Sequence, residues 1–314
     1  MSQNTVVLDE VLLERAREVI GRISGWEHDN IQLEWMPGGG AHKNMKGTAA
    51  GKQCMVKLWN TDWQGMSVMP PSGVIMENTR LAGCAGFGAS VLGISTDPLA
   101  MVIEYIPGRL LDVSDRSGMK RLLDTARRLH QSGIVFARDL NPFADARAMF
   151  ACSRQRSLET PTILDEIRPV LALVENVMDL RRNEFVPCHN DLYGANVLES
   201  YDGQVRLVDY DLAGNGDVCY ELGFITTYSE LNLDQTLQLC EDYFGERNTR
   251  MAARVQLMAL AADYNSLALW TVAKGAENKN NDYDYAGEFE RSLKKVISRI
   301  DDPSFGALIE AARR

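Results

Sequence analysis

The feature that most constrains the fold of this 314-residue chain is a hairpin signal between residues 197 and 208. An Asp-Gly dipeptide at 202–203 separates two short apolar runs, 197–200 and 205–208. Such a dipeptide predicts a β-hairpin with a two-residue turn. In that hairpin Asn196 lies directly opposite Asp209, and cross-strand neighbours have Cβ atoms about 4.5–5.5 Å apart. The sequence therefore predicts a carboxamide and a carboxylate side by side at the open end of a hairpin.

The chemistry of these side chains indicates a metal-assisted reaction. Asn196 and Asp209 offer oxygen atoms, and a few protein oxygens completed by phosphate oxygens suit Mg²⁺. Asp191 precedes Asn196 by five residues, on the loop that leads into the hairpin. An acid at this place is a candidate base for the proton of an incoming hydroxyl group. A base beside metal ligands is what phosphoryl transfer requires, and the spacing D-x-x-x-x-N followed by a strand aspartate is typical of kinases.

Hydrophobic periodicity predicts an α+β chain with two parts. The first part is predicted to contain helices at 9–24 and 74–81 and strands at 31–36, 53–59, 91–94 and 99–105, with a glycine turn at 38–40. A Pro-Gly break at 107–108 then divides the chain into a lobe of residues 1–107 and a lobe of residues 108–314. The second lobe is predicted to be mainly helical, with helices at 119–131, 162–181 and through much of 230–314, and a loop at 275–285.

Composition limits the partners of the chain. Acidic residues outnumber basic residues by 43 to 33, for a net charge of −10. This balance argues against nucleic acid as a partner and favours a cationic small substrate. The N-terminal apolar stretch carries acids and lacks a basic flank, and so predicts neither a signal peptide nor a membrane anchor. We therefore expect a cytoplasmic protein with reduced cysteines and no membrane partner; the sequence leaves its oligomeric state open.

Two motifs carry a resemblance to a known superfamily. Residues 189–198 read HNDLYGANVL and residues 207–217 read LVDYDLAGNGD. They resemble the H-N/G-D-x-x-x-x-N and I-D-[FWY]-[ED] motifs of the aminoglycoside phosphotransferase and choline kinase superfamily. The resemblance implies a protein-kinase-like bilobal fold, with a small mixed lobe around an antiparallel sheet and a larger, mainly helical lobe. It implies ATP and Mg²⁺ as cofactors, the base and metal ligands named above, and Asp211 as an auxiliary acid.

The same resemblance assigns residues to the nucleotide. Lys57 would contact the ATP phosphates, and Glu77 on the following helix would pair with Lys57. The hinge segment, whose backbone would bind adenine, consists of Glu104, Tyr105 and Ile106. The backbone amides of Gly39 and Gly40 would cradle phosphate. The glycine loop reads GGGAHKN instead of the G-G-x-T-N of choline kinases, which leaves open which side chain assists these amides.

Two later segments are similar to choline/ethanolamine kinases. Residues 267–273 and 284–289 resemble the W-x-L-W-x-[IV] and D-Y-A-x-x-R-F elements of those enzymes. The resemblance implies that Trp270 and Tyr285 form walls around a quaternary ammonium group, which aromatic faces and acids can hold. Further candidates for substrate contact, beside Asp211, are Tyr193, Glu221 and Tyr264. Leu267 stands where the family has its first tryptophan, which removes one expected wall.

Four alternatives to a choline or ethanolamine kinase remain open from the sequence: a kinase of thiamine, of an aminoglycoside or of another small alcohol such as an amino alcohol, and a pseudokinase. Thiamine kinases share a segment very like DYDLAGNGDVCYELG, so that segment does not discriminate between the two. An aminoglycoside kinase would need a ring of acids for a polycation. A pseudokinase, which would bind nucleotide without turnover, would lack a base or a metal ligand, whereas Asp191, Asn196, Asp209 and Lys57 are all present.

Overall fold

The computed structural model describes residues 10–23, 25–26, 30–36, 40–60, 69–275 and 283–313. Its N-terminal part contains helices α1 (Glu10–Gly21) and α2 (Ser72–Cys84) and strands β1 (Gln32–Met36), β2 (Lys43–Ala49), β3 (Lys52–Leu58), β4 (Val91–Thr96) and β5 (Leu99–Glu104). The five strands form one antiparallel sheet in the order β1-β2-β3-β5-β4. Helix α1 buries Ala16, Val19 and Ile20, which lie on one helical face, against this sheet.

The remainder is mainly helical. Its strands are β6 (Gly108–Leu110), β7 (Val186–Cys188), β8 (Val197–Ser200), β9 (Val205–Leu207) and β10 (Gly214–Gly216). Its helices are α3 (Arg116–His130), α4 (Pro142–Gln155), α5 (Leu164–Met178), α6 (Val218–Tyr228), α7 (Leu233–Phe244), α8 (Thr249–Ala273), α9 (Tyr285–Ile300) and α10 (Phe305–Arg313). The strands form a three-stranded sheet in the order β6-β8-β9 and a pair of β7 with β10.

Helix α8 is the centre of the helical part. It buries residues on all sides along most of its length, which is the pattern of a core helix. Helix α6 packs closely on it because Gly223 has no side chain: a Cβ atom there would lie 2.6 Å from the backbone nitrogen of Ala259. This contact brings the start of α6 beside the β7–β8 loop and the end of α8 toward the small lobe.

The structure confirms the α+β, kinase-like fold class. The sequence did not predict strands β2, β6, β7 and β10 or helices α4 and α6. Strand β2 has the sequence KNMKGTA, without a regular apolar alternation, and it forms because β1 and β3 pair with both of its edges. Helix α4 begins at an Asn141 cap followed by Pro142. Most of the predicted loop at 275–285 lies outside the described residues, and the boundary between the lobes at residue 107 stays a prediction.

The predicted hairpin register is wrong by one residue. Val197 pairs with Leu207, and the Val208 N–H donates to the Asn196 carbonyl at 3.0 Å, so Asn196 faces Val208 instead of Asp209. The loop has three residues because Gly203 adopts a left-handed conformation, with φ of 81°. Asp209 also has a positive φ, 68°, and turns the chain out of the hairpin.

Two further expectations can be compared with the structure. All six cysteines are free, in line with the expected reduced thiols. Among the described helices, none has both the length and the apolar character that crossing a membrane requires.

Candidate active site

A cavity of about 370 Å³ brings together residues from both parts of the chain. Lys57 of β3 and the acids Asp191, Asp209 and Asp211 line one region of it. Aromatic side chains from α6, from α8 and from Tyr283, which precedes α9, line the other region. The volume lies in the range of sites for small molecules.

Lys57 joins two of the acids. Its Nζ donates to Asp209 Oδ1 at 2.7 Å and to Asp211 Oδ1 at 2.6 Å. The side chain is buried because β3 is a central strand, flanked by β2 and β5. Burial opposes the charged form, but the two carboxylates outweigh it and raise the pKa of Lys57 above its ordinary value. The lysine therefore remains a cation within the cavity.

The two acids that Lys57 joins differ in their protonation. Burial would raise the pKa of Asp209, but the charge and hydrogen bond of Lys57 hold it below its usual range. Burial, and next the charge of Asp209, raise the pKa of Asp211 to about 7. Asp209 is thus the firmly ionised member of the pair, and its side chain is 37% exposed toward the cavity.

Asp191 lies on the loop between β7 and β8. Asn196 donates from Nδ2 to the Asp191 carbonyl at 2.9 Å and to Asp191 Oδ2 at 2.8 Å, which fixes the carboxylate. Burial, and next the charge of Asp209, raise the pKa of Asp191 well above its ordinary value. A raised pKa brings a carboxylate closer to the range in which it accepts protons efficiently near neutral pH.

The donor set beside Lys57 fits a hard divalent cation. Since Asn196 uses Nδ2 for Asp191, its Oδ1 is the atom left to accept or to coordinate. Asp209 contributes an ionised, partly exposed carboxylate. Carboxylate and carboxamide oxygens in small number suit Mg²⁺ better than a softer metal.

One predicted pairing near the nucleotide side is wrong. Both carboxylate oxygens of Glu77 bind Arg80, at 2.8 and 2.7 Å, and the Glu77 side chain is 42% exposed. Arg80 is one turn further along α2, so Glu77 lies on the solvent face of that helix. Its neighbour Asn78, in contrast, is buried and reaches the helical part, where it donates to the Ala213 carbonyl at 2.9 Å.

The other residues predicted to bind the nucleotide lie in the glycine loop and at the end of β5. Gly39 lies outside the described residues, while Gly40 lines the cavity. In the hinge segment, Glu104 ends β5 and its N–H bonds the Ser90 carbonyl at 2.8 Å. Lys46 lies 4.2 Å from the ring centroid of Tyr105, and Ile106 follows as a half-buried residue. Adenine binding at this segment stays a prediction.

The aromatic wall of the cavity includes residues that sequence reasoning missed. Trp270 stacks on Tyr283 with ring centroids 5.3 Å apart, and Tyr193 lies 5.7 Å from Tyr228. Glu288 adds an acid on the same side. Residues 282–285 repeat Asp-Tyr twice, so the sequence offered both Tyr283 and Tyr285 as candidates for the wall. The resemblance pointed to the second tyrosine, whereas the first lines the cavity. Further missed residues on the lining are His42, Phe224, Tyr228 and Leu269.

Three predicted substrate contacts do not lie on the described lining of this cavity. Tyr285 is buried behind the wall, where its hydroxyl donates to the Gly40 carbonyl at 2.7 Å. Tyr264 packs its ring against Phe150 at 5.4 Å, because this face of α8 points toward α4. Glu221 is fully buried and hydrogen-bonded to His130 and to the Asn190 N–H, so that its role is structural.

Comparison with known proteins identifies a family for this chain. The model of a family described as "Phosphotransferase enzyme family" matches residues 80–257. No curated protein sequence matches the chain.

Solved structures share the fold at low sequence identity. A choline/ethanolamine kinase family protein from Mesorhizobium loti is 19% identical with a TM-score of 0.78, over 96% of this chain and 99% of that one. The choline kinase LicA from Streptococcus pneumoniae is 18% identical with a TM-score of 0.71, over 92% and 98%. A Plasmodium vivax ethanolamine kinase is 14% identical with a TM-score of 0.73, over 98% and 94%. The family match covers more than half of the chain, which therefore belongs to the phosphotransferase enzyme family and is a small-molecule phosphotransferase.

Proposed function

We propose that the protein is a kinase that transfers the γ-phosphate of ATP to the hydroxyl of a small cationic alcohol, such as choline or ethanolamine. The observation that carries the proposal is a shared cavity. The base candidate Asp191 lines it together with the cation Lys57 and the aromatic pair Trp270 and Tyr283. The proposed phosphate-binding and ammonium-binding groups thus line the same cavity as the candidate base.

The residues have distinct tasks in this reaction. Asp191, held by Asn196, orients the hydroxyl and accepts its proton as the oxygen attacks phosphorus. Lys57 binds phosphate oxygens through its buried ammonium group. Asn196 and Asp209 would hold Mg²⁺, which when bound offsets negative charge on the phosphates.

The far end of the cavity supports a cationic substrate. Stacked aromatic faces attract an ammonium group, and an acid adds to that attraction. Trp270 and Tyr283 supply the faces, and Glu288 supplies the acid. Leu267 stands at the position of the family's first tryptophan and is fully buried in the core. In place of that tryptophan, tyrosine side chains of this chain contribute to the wall beside Trp270.

The test is Mg-ATP-dependent ADP release with choline, ethanolamine, thiamine and a panel of aminoglycosides, with Asp191→Asn as the control. Turnover with choline or ethanolamine that the control lacks would support the proposal. Turnover with thiamine or an aminoglycoside alone would show that the proposed substrate class is wrong, while the proposed phosphoryl transfer from ATP would stand. Binding of Mg-ATP without turnover of any alcohol would instead indicate a pseudokinase.

A further inference from the structure

His42 is a buried polar residue of the cavity that the proposed chemistry does not yet use. It belongs to the glycine loop, two residues after Gly40, is 4% exposed and lines the cavity beside Lys57. Its ring packs on Trp59, with centroids 4.9 Å apart. A buried imidazole costs free energy unless its nitrogen atoms find partners, so its surroundings indicate what it does.

One nitrogen atom of this imidazole has a partner that fixes the tautomer. The backbone N–H of Asn60 donates to His42 Nδ1 at 3.3 Å, so Nδ1 carries a lone pair. Burial, and next the positive charge of Lys57, lower the pKa of His42 to about 3, so the ring is neutral at physiological pH. A neutral ring with an accepting Nδ1 carries its proton on Nε2.

The Nε2 atom of His42 lies close to one of the acids. It lies 3.4 Å from Asp211 Oδ2 and makes no well-formed hydrogen bond with the described part of the chain. Lys57 binds the other oxygen, Oδ1, of the same carboxylate. A closure of about half an ångström, together with alignment of the N–H on Oδ2, would give a normal N–H···O bond of about 2.9 Å.

Nucleotide binding, which rests on the proposed function, gives this contact a role. Lys57 donates one hydrogen bond to Asp209 and one to Asp211. Phosphate oxygens of a bound nucleotide would compete with these carboxylates for the protons of Lys57. Asp211 has only 9% of its side chain exposed, and a buried carboxylate that loses its cation is costly. A second donor on Asp211 would offset that loss.

We propose that His42 is a positioning residue for phosphoryl transfer: its Nε2–H binds Asp211 Oδ2 and holds this carboxylate when Lys57 engages the nucleotide phosphates. The contact also ties the end of the glycine loop to the acids. On its other side, the loop is held through the Gly40 carbonyl, which accepts from Tyr285. His42 is thereby the side chain that assists the backbone amides of the glycine loop in this chain.

The tautomer is tested in the nucleotide-free protein by ¹⁵N–¹H NMR of the imidazole groups. The chain has four histidines, and His42→Gln assigns the signal of interest by its loss. We expect His42 to be protonated at Nε2, and its proton signal to move downfield when Mg²⁺ and a non-hydrolysable ATP analogue are added. Protonation at Nδ1, or the same downfield movement in Asp211→Asn, would overturn the inference.

The energetic coupling is tested with full-length variants. His42→Leu removes the donor but keeps the bulk, and we expect kcat/KM for Mg-ATP to fall roughly tenfold to hundredfold. His42→Gln keeps an N–H near the Nε2 position and should lose less than about fivefold. In an Asp211→Asn background, His42→Leu should cost less than about threefold, because coupled residues are not additive.

If His42→Leu lowered kcat/KM by the same factor in the Asp211→Asn background as in the wild type, a role through Asp211 would be contradicted. Equal losses in His42→Gln and His42→Leu would contradict it as well. Failure of the wild-type protein to transfer phosphate would count against the proposed function alone, since the tautomer is measured without nucleotide.

Discussion

The carboxylate of Glu221 accepts a hydrogen bond from the backbone N–H of Asn190 at 2.7 Å, one residue before Asp191. Its other oxygen bonds His130 Nε2, and His130 Nδ1 lies 2.5 Å from the hydroxyl of Tyr243. Asn190 has φ of 64°, a left-handed conformation that few non-glycine residues adopt. A buried chain of hydrogen bonds therefore supports the left-handed residue that precedes the candidate base Asp191.

Removal of this acid should destabilise the fold. Glu221→Ala leaves the Asn190 N–H and His130 without their buried partner, and we expect the free energy of unfolding to fall by about 3–5 kcal/mol. Denaturant unfolding measures the change. Glu290→Ala, on the exposed side of α9, is the matched control and should stay within about 0.5 kcal/mol of wild type. Equal effects of the two substitutions would show that the buried chain contributes little.

The acid on α2 that the sequence paired with Lys57 should be dispensable. Glu77 binds Arg80 on the surface, so we expect Glu77→Gln to change kcat/KM for Mg-ATP by less than about twofold. Lys57→Met, in contrast, removes the phosphate-binding cation and leaves two acids unpaired, and we expect a loss of more than about a hundredfold. Steady-state kinetics with both variants decides the matter. A comparable loss in the two would mean that Glu77 turns to Lys57 in the working enzyme.

The fold and the acidic centre were accessible to sequence reasoning because short spacings determine them. Four residues separate Asp191 from Asn196, and a hairpin returns the chain to Asp209 whether its loop has two or three residues. The one-residue register error moved Asn196 opposite Val208 without removing either side chain from the site region. The left-handed conformation of Asp209, which no local pattern indicated, sets the direction of its carboxylate.

Partners from distant segments could not be predicted in the same way. Whether Glu77 or Asn78 faces the large lobe depends on the rotation of α2 about its axis, which tertiary packing sets. Tyr264 and Trp270 both lie on α8, but the all-round apolar character of that helix gives no sign of which face meets the cavity. His42 was passed over because its partners, Asn60 and Asp211, come from a strand end and from the other lobe.

The two aromatic residues of α8 should therefore differ in their effect on substrate. Trp270→Ala removes a face of the cavity wall, and we expect KM for the ammonium substrate to rise roughly 3–30-fold while KM for Mg-ATP changes much less. Tyr264→Phe removes only a hydroxyl away from the cavity lining and is the control, with KM for both substrates expected within about twofold. Kinetics with choline and ethanolamine measures both values. A larger effect at Tyr264 would place the substrate on the other face of α8.

Substitution of Asp191 by asparagine should lower activity and raise the stability of the fold. Its pKa is raised in the folded protein by burial and next by Asp209, so the ionised form destabilises the fold. Below the unfolded-state pKa of about 4, both states are protonated and the acid contributes nothing. As pH rises through the folded-state pKa, the full destabilisation develops. We therefore expect Asp191→Asn to increase the melting temperature by a few degrees near pH 8 and by less near pH 4.

The same substitution removes the base, and kcat should fall by about 10²–10⁴-fold while nucleotide affinity changes by less than about threefold. Thermal melts at several pH values, with the exposed Asp301→Asn as control, measure the stability difference. A melting temperature that falls at pH 8 would show that the carboxylate stabilises the loop. We expect Asp191→Asn to gain stability and lose turnover, because the buried charge of Asp191 destabilises the fold and is needed for the reaction.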